Sequence, residues 1–289
     1  MKKYEGVATI TSCTLDGKGR FNAAEYERII DHQIANGVKL VQGPLIDELV
    51  ELAPGEYRLA LKVLAKATKG KALSIANVCP SPDINQTIAN AKECAECGVD
   101  ALKILTPLYV TPELTQDDLY TYFSAVIRAT SCLVVIYNQP SRTLINVAPE
   151  TLARLAEAFP QLVMVQDDIS QLPAIKRRLG DRLSVGVKFP YWVASHAIGG
   201  EVFYSRVPYA PLAMHELYQL CAKSDYLAAR KMFYDRYDLY QLSALRPGGK
   251  ALRLCLKQAG FDAGDSEGLP EKVHQQITQA IGKHLRPKS

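Results

Sequence analysis

Eight short, almost uninterrupted apolar runs recur along the first three quarters of the chain, each followed by a longer segment of helical period. They occupy 7–10, 38–42, 73–77, 101–105, 133–137, 162–165, 183–187 and 202–205. A strand that is apolar on both faces must be covered on both faces, which is the condition of a parallel sheet wrapped by helices. Gly37, Gly98, Gly180 and Gly199 each fall between a helical segment and the next run, and Pro149 and Pro211 suit the first turn of a helix. Eight such alternations in roughly 220 residues fit a closed α/β barrel, the (β/α)8 or TIM barrel, better than an open doubly wound sheet. No GxGxxG follows the first run, as a dinucleotide-binding sheet would require. The expected organisation is a barrel over 1–224 and a C-terminal helical region over 225–289 packed on it, with a Gly-rich break at Pro247-Gly248-Gly249. In such a barrel the chemistry belongs at the carboxyl ends of the strands.

The bulk properties narrow the partners. With 34 basic against 30 acidic residues among 289, the net charge of +4 is too balanced to point to nucleic acid or a membrane surface. No apolar run approaches membrane-spanning length, and Met1 to Gly6 leads straight into a strand without a signal-peptide pattern, so a cytoplasmic location is expected. Seven cysteines, an odd number, suggest reduced thiols. Cys94 and Cys97 form a CxxC inside a helical segment with no second Cys or His pair nearby, so helix packing accounts for them better than a metal. His32, His196, His215, His274 and His284 form no HxH or HExxH, and neither a metal nor an organic cofactor is expected.

Chemistry-bearing residues gather at the strand ends. The fifth run ends in Tyr137-Asn138-Gln139-Pro140-Ser141-Arg142-Thr143 and the fourth in Thr106-Pro107-Leu108-Tyr109. With Asp16-Gly17 in the first loop, Gly43 and Glu48 after the second run, and the helix of Thr151 to Ala156, these strings resemble the dihydrodipicolinate synthase and N-acetylneuraminate lyase family of pyruvate-handling aldolases. The resemblance spans nearly the whole chain. It implies that Tyr137 relays protons, that Tyr109 reaches a neighbouring subunit's site, and that Arg142 holds a substrate carboxylate through its planar fork. It also implies a small carboxylate as ligand and a homodimer or homotetramer as the assembly.

The departures weigh as much as the matches. The sixth run leads into Gln166-Asp167-Asp168 where the family carries an imine-forming lysine, and a carboxamide cannot form an imine. The family's Gly-Thr-Thr-Gly-Glu loop appears as Gly43-Pro44-Leu45-Ile46-Asp47-Glu48, which lacks both hydroxyls and one backbone donor. Two cations stand at strand ends instead: Lys188 after the seventh run, and Arg206 beside Ser205 after the eighth. Either they join Arg142 in a cationic mouth for a polyanionic ligand such as a dicarboxylate or phosphorylated acid, or they pair with Asp167 and Asp168. Lys188 is also a candidate replacement amine, as is Lys103 within the fourth run, which is expected to face the helical layer or to pair within the core. Asp167, Asp168 and Glu48 would be a magnesium set in a class II scheme; a solvated or Arg-paired acidic turn is simpler.

Two functions compete. In the first, the barrel is a lyase acting on a small 2-oxo or hydroxy acid, with Tyr137 as acid or base, Tyr109 beside it, Gln166 as a hydrogen-bonding group, and Arg142, Gly43, Lys188, Ser205 and Arg206 around the substrate. Dihydrodipicolinate synthesis itself is the reaction least expected. In the second, the fold survives as a pseudoenzyme that senses a ligand or serves a protein partner.

Overall fold

The computed structural model describes residues 3–45, 52–53, 55–107 and 114–285, and of Arg142 the backbone alone. Eight parallel strands follow one another in chain order around a closed barrel: β1 (Gly6–Ile10), β2 (Leu40–Gln42), β3 (Leu73–Asn77), β4 (Ala101–Leu105), β5 (Leu133–Tyr137), β6 (Leu162–Gln166), β7 (Ser184–Lys188) and β8 (Val202–Ser205). Each lies within a residue or two of an apolar run read from the sequence. The helices are α1 (Ala23–Ala35), α2 (Glu56–Thr68), α3 (Ile84–Glu96), α4 (Gln116–Arg128), α5 (Pro140–Thr143), α6 (Pro149–Ala158), α7 (Leu172–Leu179), α8 (Trp192–Ala197), α9 (Pro211–Ala222), α10 (Tyr226–Asp235), α11 (Tyr237–Gln241), α12 (Gly248–Gln258) and α13 (Glu271–His284). The chain is thus a (β/α)8 barrel with further helices at its C-terminal end.

Local chemistry sets the boundaries. Asn22, Asp83, Thr115 and Asp225 cap α1, α3, α4 and α10 by accepting from first-turn amides, and Thr115 with Asp118 completes a reciprocal capping box. Pro149 and Pro211 occupy first-turn positions of α6 and α9, where no amide hydrogen is needed. Gly37 and Gly98 leave α1 and α3 with φ of 89° and 83°, a conformation that side chains with a Cβ resist. Cys94 and Cys97 are buried at the end of α3, as helix packing requires. The expected break at Pro247-Gly248-Gly249 falls just upstream of those glycines, which form the first turn of α12; a Cβ on Gly248 would collide with the Arg206 guanidinium.

The chain divides into two compact units, one of residues 1–5 and 75–204 and the other of 6–74 and 205–289. In the second unit β1 and β2 pair in parallel, with Ala8 opposite Leu40 and Ile10 opposite Gln42. There the segment after α12 covers α1: the Arg28 guanidinium lies 4.3 Å from the Phe261 ring centroid and donates to the Gly260 carbonyl at 2.7 Å. Tyr240 donates to the Ala213 carbonyl at 3.1 Å, tying α11 to α9.

In the first unit, Leu105, Tyr137, Gln166 and Gly186 form one row across β4 to β7. Gly186 keeps that row open, because its missing side chain leaves the space that the Tyr204 ring of β8 fills, with Tyr204 Cε2 2.6 Å from where a Cβ would stand. Trp192 of α8 fixes the same strand from outside by donating to the Tyr204 carbonyl at 2.9 Å. Gly186→Ala is therefore expected to destabilise the protein by roughly 1–3 kcal/mol, the usual cost of overpacking a full core. A fall in the urea midpoint without a change in slope checks it, and an unchanged midpoint contradicts it.

Candidate functional site at the ends of β5, β6 and β7

A cavity of about 360 Å³ lies at the carboxyl ends of β5, β6 and β7. Tyr137, Gln166, Asp167 and Lys188 line it, together with Asn138 and Ser141 beyond β5. Tyr137 and Gln166 are register partners on adjacent strands, so their side chains project at one level of the barrel. Pro140 begins the single turn of α5, which sets the far wall directly against the strand end.

Beneath this wall is a lysine. Lys103 of β4 is 2% exposed, and its Nζ donates to the Gln166 Oε1. The same Nζ lies 4.0 Å from the Tyr137 ring centroid and 4.4 Å from that of Tyr204. Of the two expectations for Lys103, the structure shows the core pairing: the side chain enters the barrel, not the helical layer. Cation–ring contacts and a carboxamide acceptor compensate an amine removed from water. Burial, reinforced by the nearby Tyr137, pushes the Tyr204 phenol well above its ordinary range. Tyr204 therefore stays a neutral hydroxyl, and it donates to Met164 Sδ at 3.4 Å.

Asp167 is built differently from the solvated or Arg-paired turn expected of it. It is 3% exposed. The Nδ2 of Asn138 lies 3.1 and 3.0 Å from its two oxygens, the Nε2 of Gln171 lies 3.0 and 3.1 Å from them, and the Asp168 amide donates at 2.7 Å. All these donors are neutral amides. The ladder runs on past the strands to hold the cluster: Asn138 N donates to the Gln166 carbonyl and Asp167 N to the Gly186 carbonyl, each at 3.0 Å. Burial raises the Asp167 carboxyl to about 6, against the opposing pull of the Asn138 and Gln171 hydrogen bonds. Asp168 turns outward and accepts from the Ser170 amide at 3.0 Å.

The other residues singled out from sequence are placed as follows. Gly43 follows β2 and makes room for the Tyr26 hydroxyl, with which any Cβ there would collide. Ser205 ends β8, and its hydroxyl accepts from the Val207 amide at 3.0 Å. The Arg206 guanidinium lies against Gly248. Arg142 stands in α5, described by its backbone only, while Tyr109 and Glu48 lie outside the described residues. The residues missed in the sequence are Gln171, Asn138 and Gly186. Asn138 was visible inside the Tyr-Asn-x-Pro string, without a role; nothing in the sequence marked Gln171 as its companion on Asp167.

Solved structures of similar fold include a dihydrodipicolinate synthase from Bacillus anthracis, with a TM-score of 0.89 over 99% of this chain and 100% of that one at 20% identity. Another, from Thermotoga maritima, has a TM-score of 0.86 over 98% and 99% at 22% identity. At those identities the likeness is one of fold. In sequence, the chain is 29% identical over 217 residues to 4-hydroxy-tetrahydrodipicolinate synthase of Bacillus subtilis, covering 69% of this chain and 74% of that protein. It is 30% identical over 271 residues to the "Probable 5-dehydro-4-deoxyglucarate dehydratase" of Pseudomonas entomophila, covering 90% and 87%. The profile of the dihydrodipicolinate synthetase family matches residues 3–281, and the chain belongs to that family.

The raised carboxyl of Asp167 makes a stability prediction with a definite sign. Its folded-state value of about 6 lies above the ordinary 3.8, so the fold holds this proton more tightly than the unfolded chain does. That contribution is complete below about pH 4 and is lost as the pH rises to about 6, by roughly 3 kcal/mol at most. Relative to Asp167→Asn, the wild type is expected to lose unfolding free energy across this window. Parallel stability curves for the two proteins from pH 4 to 7 would contradict the assignment.

Proposed function

We propose that the cavity at the ends of β5, β6 and β7 binds a small 2-oxo or hydroxy acid and carries out lyase chemistry on it, by proton transfer, hydration or carbon–carbon cleavage. One observation carries this reading: a phenol, a carboxamide and an ammonium, those of Tyr137, Gln166 and Lys188, line one cavity of about 360 Å³ at the strand ends. That volume suits a small acid. Tyr137 is the acid or base. Lys188 meets the carboxylate as a point charge, and Gln166 hydrogen-bonds the keto or hydroxyl oxygen. In this reading Arg142 is a further carboxylate clamp and Tyr109 a residue contributed by a neighbouring subunit of a homodimer or homotetramer, both as the family resemblance implies.

Dihydrodipicolinate synthesis is not the reaction proposed, because β6 offers Gln166 in place of an amine and the loop after β2 offers Pro44 in place of a hydroxyl. The relative with the longest match quoted above is named for a dehydration, which keeps hydro-lyase chemistry among the candidates. The carboxamide at 166 also favours a second reading, a ligand sensor without turnover.

A panel of pyruvate, 2-oxobutyrate, 2-oxoglutarate and 2-hydroxy acids, scored by calorimetry and by product detection, tests the reading. At least one acid is expected to bind. Lys188→Met should weaken that binding about tenfold to a hundredfold, the worth of a charged hydrogen bond. Tyr137→Phe should keep binding and lose about 10²- to 10⁴-fold in turnover. Binding without turnover in the wild type would favour the sensor; no binding by any acid, or unchanged binding in Lys188→Met, would overturn the site.

A further inference from the structure

We infer that Lys103 is the covalent amine of this site, a lysine on β4 that reaches the position left by the carboxamide on β6. The inference rests on the small-acid reading above and deepens it by naming the nucleophile and the substrate class, 2-oxo acids. Three features of the geometry support it. The Nζ of Lys103 touches Gln166 Oε1, so the amine lies at the inner end of a side chain whose other face lines the cavity. It also lies 4.0 Å from the ring centroid of Tyr137, the second cavity-lining group and the proposed proton carrier. And it is buried at 2% exposure, the setting in which a lysine is most readily relieved of its charge and made nucleophilic.

Gln166 then has a definite part. Its carboxamide oxygen accepts the amine's hydrogen in the resting site, and the oxygen of an incoming 2-oxo acid takes over that acceptor position. The Gln166 side chain has three rotatable bonds and swings aside without moving β6. The Tyr204 ring, which fills the space beside Gly186, borders the amine at 4.4 Å from its centroid.

The step balances as follows. The ammonium gives one proton to solvent water through the cavity mouth, and the amine lone pair attacks the ketone carbon. The carbon–nitrogen bond forms as the carbonyl π bond breaks, and Tyr137 protonates the oxygen to give a carbinolamine. The nitrogen gives one proton back to the Tyr137 phenolate. Tyr137 then passes a proton to the hydroxyl, which leaves as water while the nitrogen lone pair forms the carbon–nitrogen double bond, and the second nitrogen proton returns to Tyr137. The carbonyl oxygen thus leaves with the two protons of the neutral amine as one water, the imine remains, and Tyr137 ends as it began. No oxidant or metal takes part in the exchange.

Borohydride reduction during incubation with pyruvate, 2-oxobutyrate or 2-oxoglutarate, followed by intact mass and peptide mapping, tests the inference on the wild-type protein. The expected result is a saturable adduct of about one per chain on the peptide carrying Lys103. It should persist in Lys188→Met at higher acid concentration and be lost in Lys103→Met. Calorimetry with the same acids, without borohydride, runs in parallel. An adduct on Lys188, or acid binding with no adduct on Lys103, overturns the inference and leaves the small-acid reading standing. Neither binding nor adduct with any of the three acids overturns the inference, and the small-acid reading falls with it when the 2-hydroxy acids of the panel fail to bind as well. The wild-type map decides the question even if Lys103→Met fails to fold.

Discussion

A lysine amine enclosed by a barrel must find an acceptor or lose its charge, and the Gln166 carboxamide answers that constraint for Lys103. The rest of the site follows from it. A lysine at position 166 would place a second ammonium against the first, and a leucine there would leave the buried amine without that acceptor. Tyr137 and Tyr204 offer ring faces to the same charge, and Tyr204 fits only because β7 carries a glycine beside it. Gln166, Tyr137, Tyr204 and Gly186 thus form one packing solution around Lys103.

Asp167 solves the complementary problem with other means. A buried carboxylate is held by amide hydrogens from Asn138, Gln171 and the chain itself, and these bonds do not fully offset burial, so its carboxyl stays raised. The cavity therefore sets a hydrogen-bonding carboxamide beside a carboxyl raised by burial, with Lys188 as the cation on its wall.

The barrel was legible from the sequence because strands buried on both faces leave long apolar runs, and helices between them carry their own start and stop signals. The cavity's place was legible too: Tyr137, Gln166 and Lys188 are strand ends, and strand ends in a barrel converge. The facing of Lys103 was not. On a strand apolar on both sides, alternation does not tell the barrel interior from the helical layer, and the contacts of the Lys103 Nζ with Gln166 and the Tyr137 ring resolve it. The clamp on Asp167 was hidden for another reason: its partners, Asn138 and Gln171, are 29 and 4 residues away in sequence and meet only through the closed turns after β5 and β6. Arg206 and Ser205 read as mouth residues from their position, yet the structure gives each a local packing or turn contact that position alone does not reveal.

The most direct measurement is a crystal structure of the wild-type protein soaked in pyruvate. The account expects continuous density from the Nζ of Lys103 to carbon 2 of the acid, with Gln166 turned off the amine and the Tyr137 hydroxyl beside the new bond. Pyruvate lying in the cavity while Lys103 remains on Gln166, or joined to Lys188, would contradict it.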